Sequence, residues 1–136
     1  MYTIINTDLV GILNILTLIK TKGVKARMIS RFGSNLEEVM QRYSDDQIQC
    51  YIDYGCDVGS DGLIDYTNCT DKVTLIKEIG ILNNESTELT IDGIEHIIEA
   101  LEYDIDDMDY TNIHNYDRLL TELENLQENK EEQYHE

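Results

Sequence analysis

A chain of 136 residues with 41% apolar side chains is long enough for one hydrophobic core and short for two. Its 28 acidic residues against 10 basic ones leave a net charge of -18, a field that repels phosphates and anionic headgroups; this argues against nucleic-acid binding by the acidic part and against a membrane partner. The charge is also polarised: residues 1–43 carry six basic and three acidic side chains, residues 44–136 four basic and 25 acidic.

In chain order, Asn6 or Thr7 is expected to cap a helix over residues 8–21, whose apolar residues (Leu9, Val10, Ile12, Leu13, Ile15, Leu16, Leu18, Ile19) cover most of its circumference. Such a helix belongs at the centre of a bundle. A short basic helix over 24–32 is expected to end at Gly33, and two S-x-x-E/Q capping boxes, Ser34–Glu37 and Ser44–Gln47, open helices to about Tyr43 and Tyr54. Glycines and aspartates from Gly55 to Asn68 read as a loop, followed by a helix carrying Val73, Leu75, Ile76 and Ile79. Gly80–Glu88 reads as a polar connector. Thr90 then caps a helix with Ile91, Ile94, Ile97, Ile98 and Leu101 on one face and Asp92, Glu95, Glu99 and Glu102 on the other. A final helix bears Leu119, Leu120, Leu123 and Leu126.

The fold class that follows is mainly α, a compact bundle of five to seven short helices with room for a small β-hairpin near residues 48–66. One domain spans 1–128, with a basic helical hairpin at 8–43 and an acidic helical part at 44–128. An acidic tail at 129–136 has nothing to bury and should fray.

Asp65-Tyr-Thr-Asn68 recurs as Asp109-Tyr-Thr-Asn112, which raises the possibility of two related loop–helix units. The segment D-V-G-S-D-G-L-I-D-Y-T-N, Asp57–Asn68, resembles an EF-hand or dockerin calcium loop, which implies Asp57, Asp61 and Asp65 as oxygen ligands. It carries Gly59 and Asn68 at two ligand positions, so a turn rich in Gly and Asp is the preferred reading and no metal is expected. Thr21–Met40 resembles the helix-hairpin-helix segments of DNA-processing proteins, which implies phosphate contacts near Gly23; only that one hairpin glycine is present. A helical hairpin without DNA contact is preferred.

Cys50, Cys56 and Cys69 are odd in number and lack C-x-x-C spacing, so reduced thiols, no disulfide and a cytoplasmic location in a bacterial or host cell are expected. His96, His114 and His135 are scattered, and no nucleophile, phosphate-loop or zinc motif is present. No enzyme activity and no cofactor are expected. The absence of Pro and Trp, with many Ile, Asn, Asp and Tyr, has the look of an AT-rich bacterial, phage or viral gene.

Carboxylates spaced every 5 to 6 Å along a helix, at roughly 1.5 Å rise per residue, approach the phosphate spacing of a nucleic-acid strand. The leading expectation is therefore an acidic inhibitor, of the phage or viral kind, that blocks a basic nucleic-acid-binding surface of a host defence nuclease or similar enzyme. Its partner-binding residues would be Asp92, Glu95, Glu99, Glu102, Asp104, Asp106, Asp107 and Asp109. Alternatives are an immunity protein or antitoxin that neutralises a basic toxin, and an assembly protein that self-associates through its basic and acidic halves into a homo-oligomer.

Overall fold

The computed structural model describes the backbone of residues 1–135 and the side chains of residues 1–130. It is mainly helical. In order come β1 (Tyr2–Ile5), a single 3-10 turn (Asn6–Asp8), α1 (Leu9–Thr17), α2 (Gly23–Asp53), β2 (Asp57–Val58), β3 (Ile64–Asp65), α3 (Lys72–Asn83), β4 (Ser86–Leu89), α4 (Ile94–Tyr103) and α5 (Tyr110–His135). β1 pairs antiparallel with β4, and β2 with β3, the small hairpin expected between residues 48 and 66.

The core lies where α1, the first half of α2, α4 and α5 meet. Leu9, Ile12, Ile15 and Leu16 of α1 are buried among Phe32, Leu36 and Val39 of α2, Ile97, Ile98 and Leu101 of α4, and Leu119 and Leu123 of α5. Tyr2 and Ile4, alternate residues of β1, close one end of this core, with the Tyr2 ring edge-on to Phe32. Asn6 does not cap α1. Its backbone and side-chain N–H groups instead donate to the carbonyls of Glu85 (3.0 Å) and Leu82 (2.8 Å), which ties the end of β1 to the end of α3.

Three short helices were expected between residues 24 and 54, and one continuous helix of 31 residues, about 46 Å long, replaces them. Neither Gly33 nor the serines of the two capping boxes interrupts it. Met28, Ile29, Phe32, Leu36, Val39, Met40 and Tyr43 fall at helical spacing on one core-facing stripe, and burying them offsets the roughly 1 kcal/mol that an interior glycine costs. Beyond Tyr43 the helix leaves the core and carries a second lobe made of the β2–β3 hairpin and α3.

Gly55 (φ +79°) turns the chain out of α2, and the hairpin returns it so that Thr70 donates to the Tyr54 carbonyl at 2.7 Å. This return brings Cys56 and Cys69 together as a disulfide, with Cα atoms 4.6 Å apart. The expectation of three reduced thiols is therefore corrected: only Cys50 is free. Spacing along the chain carried no sign of the pairing because the hairpin creates the proximity.

Two further boundaries differ from expectation. The connector at 80–88 contains the last turn of α3 and all but the last residue of β4, whose partner strand lies more than 80 residues away. Thr90 does not cap α4, which begins at Ile94 after Gly93 in the left-handed conformation (φ +64°). Because the helix starts later, Asp92 sits in the preceding turn. The expected loosening of 129–136 falls largely outside the residues whose side chains are described. The Asp-Tyr-Thr-Asn echo does not mark a repeat, since Asp109 caps α5 directly whereas Asp65 lies in β3, seven residues before α3.

Gly33 and Gly93 make opposite predictions. A Cβ at Gly33 would sit 3.8 Å from Leu16, an ordinary contact in a helix interior, so Gly33→Ala should stabilise by about 0.5–1 kcal/mol. A Cβ at Gly93 would meet Met28 at 2.5 Å from a left-handed backbone, so Gly93→Ala should lose at least about 1–2 kcal/mol. Urea unfolding of both variants checks the pair; a helix that ended at Gly33 would make Gly33→Ala destabilising.

Candidate functional site

α4 is strongly two-faced. Ile94, Ile97, Ile98, Ala100 and Leu101 are buried, and Glu95, Glu99 and Glu102, at i, i+4 and i+7, point outward along one ridge. The loop that follows α4 continues the acidic surface with Asp106 and Asp107, both exposed, while Asp92 is exposed in the turn before it.

The eight predicted acids divide into two kinds. Asp104 is half-buried and serves the fold: Lys25 of α2 reaches it at 3.1 Å and Glu99 at 3.4 Å, and the Asp104 carbonyl accepts from Lys20 N–H at 2.9 Å. Hydrogen bonds from Lys25 and then Thr21 hold the Asp104 carboxyl below its ordinary pKa, and the bond to Asp104 raises that of Lys25. Asp109 is a cap. Its carboxylate accepts from Thr111 Oγ1 (2.7 Å) and Asn112 N–H (3.1 Å), which lowers its pKa and opens α5.

Asp92, Glu102, Asp106 and Asp107 have no ion-pair partner among the described residues, and Glu95 has only the imidazole of His96 at 3.6 Å. Glu99 shares Lys25. The outward set is therefore Asp92, Glu95, Glu99, Glu102, Asp106 and Asp107.

Two aromatics flank this surface and were not singled out from the sequence. Tyr103, the last residue of α4, is 74% exposed and Tyr110, the first of α5, is 90% exposed, so two rings bracket the acidic loop. Aromatic residues are enriched at protein interfaces relative to the rest of the surface. The available signal was their position outside the apolar spacing of both helices.

The calcium-loop candidates are occupied locally. Asp61 accepts from Leu63 N–H at 3.1 Å, Asp65 from Thr67 N–H at 2.9 Å, and Asp57 from the Asn68 amide at 3.2 Å. Among the described residues no three His, Cys, Asp or Glu side chains are arranged to hold a metal ion. The Cys56–Cys69 disulfide joins the two residues that flank this segment. The helix-hairpin-helix resemblance fails in structure, because the second helix it requires is the uninterrupted middle of α2. Of the basic residues around it, Lys25 is spent on Glu99 and Asp104, while Lys20, Lys22, Arg27 and Arg31 are exposed.

No protein-family model matches the chain, no curated protein is significantly similar to it, and no solved structure matches it. Among the described residues no helix is long and apolar enough to cross a membrane.

The Lys25–Asp104 pair predicts a pH dependence. A carboxyl whose folded pKa is lowered stabilises fully above its unfolded value, about 3.9, and ceases to do so as pH falls through the folded value. The melting-temperature gap between wild type and Asp104→Ala should be full at pH 7 and close below about pH 4. Thermal melts of both proteins at several pH values measure it.

Proposed function

We propose that the protein is a non-enzymatic binder whose acidic face, Asp92, Glu95, Glu99, Glu102, Asp106 and Asp107, docks onto a basic surface of another protein. The reading is carried by one observation: these carboxylates stand outward on α4, the turn before it and the loop after it, and Lys25 is the only lysine or arginine that engages any of them among the described residues. Charges fixed on a folded element need little reordering on binding, which favours complementary electrostatics.

The partner class is an enzyme with a nucleic-acid-binding groove, such as a host defence nuclease, and the protein acts as an inhibitor of phage or viral type. Such grooves combine cations with planar groups for stacking, and the exposed Tyr103 and Tyr110 rings beside the carboxylates fit that combination. The encounter belongs in the cytoplasm of a bacterial or host cell. With a disulfide formed the cysteines no longer argue for that compartment, and it follows from the partner class alone.

Affinity capture from host extract at low salt, followed by mass spectrometry, identifies the partner. Reversing Glu95, Glu102, Asp106 or Asp107 to lysine should weaken its binding by about tenfold each, or about 1.4 kcal/mol. Melting should change by no more than about 0.5 kcal/mol, as expected for exposed sites. Binding that ignores both the reversals and the salt concentration rules the acidic face out.

A further inference from the structure

The chain between Tyr43 and Leu89 is built differently from the rest. The hydrophobic core cluster has no member among residues 44–88, although that stretch holds the second half of α2, the hairpin and all of α3. From residue 44 to residue 74, Cys56 is the one buried apolar side chain. α3 packs on α2 and buries Leu75 and Leu82, but Val73, Ile76 and Ile81 are 66%, 71% and 58% exposed, and Leu63 at the hairpin is 72% exposed. A two-stranded hairpin of two residues per strand has no independent stability in water.

We propose that the Cys56–Cys69 disulfide is a redox latch on this outer lobe. While it is closed, loop 57–68 and the start of α3 are held against α2. Once it is reduced, the lobe unfolds locally and the core of α1, α4, α5 and the first half of α2 stays native. Reduction is by a low-molecular-weight thiol or dithiol: its thiolate attacks one sulfur, the Cys56–Cys69 bond breaks, and a second reductant thiolate resolves the mixed disulfide. Two electrons pass to the cysteines, which take up two protons and become thiols, and the reductant leaves as its own disulfide.

Two observations support a latch over a passive staple. The cross-link joins residues 13 apart, so cutting it returns conformational freedom to one short segment, and the lobe has few apolar contacts to oppose that gain. The third thiol is also quiet. Cys50 on α2 is half-buried, and its burial, together with the Glu78 and Asp53 carboxylates, raises its pKa, so it is a poor nucleophile for scrambling the pair. The cycle therefore has two states.

Hydrogen exchange read by mass spectrometry on the full chain, with and without dithiothreitol, tests this. Residues 55–80 should lose protection by at least tenfold on reduction, and peptides from α1, α4 and α5 should change less than twofold. Cys69→Ser without reductant should reproduce the pattern, and retained near-UV circular dichroism would show that its core is folded. Uniform loss of protection along the chain, unchanged exchange over 55–80, or alkylation of all three cysteines before reduction each overturns the proposal. The acidic face lies on the core side, so partner binding should survive reduction.

Discussion

Nine residues of α1 contain no charged side chain, and the need to remove them from water organises everything around them. A helix apolar on nearly every side cannot rest on a single neighbour. α2 and α5 pack along it, α4 completes the enclosure, and the β1–β4 ribbon closes the end. α1 approaches α5 so closely that a Cβ at Gly11 would lie 2.5 Å from the Asn115 amide. Around this seam polar groups pin the periphery: the Arg118 guanidinium bridges Asp8 at the start of α1 and Glu122 on its own helix, and the Tyr116 hydroxyl donates to the Leu101 carbonyl at 2.8 Å.

That core also decides which charges are left over. Fixing Ile94, Ile97, Ile98 and Leu101 inward on α4 leaves Glu95, Glu99 and Glu102 no direction but outward, so the acidic ridge is the reverse side of a packing solution. The two-ended charge of the sequence is only partly discharged inside the fold. Lys25 crosses from the basic segment to the acidic one, and the other basic residues of α2 remain at the surface.

The mainly helical class, the central place of α1 and the two faces of α4 were all legible, because each rests on apolar periodicity that tertiary contacts reinforce. What escaped depended on residues distant in sequence. Glu88 and Thr3 pair across the β1–β4 ribbon with no turn between them to announce it. Cys56 and Cys69 meet because a hairpin folds between them. The unity of α2 was available and missed: Phe32, Leu36, Val39 and Tyr43 keep one helical phase straight through Gly33 and Ser34, and local stop and cap signals were given more weight than that phase. Among the acids, composition could not separate Asp104 and Asp109, bound to the fold, from Asp106 and Asp107, which face water.

The excursion over residues 44–85 begins and ends at nearly the same place. The Tyr43 hydroxyl donates to the Asn83 side chain, and Asn6 holds Leu82 and Glu85, so the chain departs from and returns to one clamp. Topologically this is an insertion. A related chain could carry a tight turn or a different appendage there and keep the same packing around α1, so kinship with this protein should be sought by aligning residues 1–43 and 86–128 across a gap.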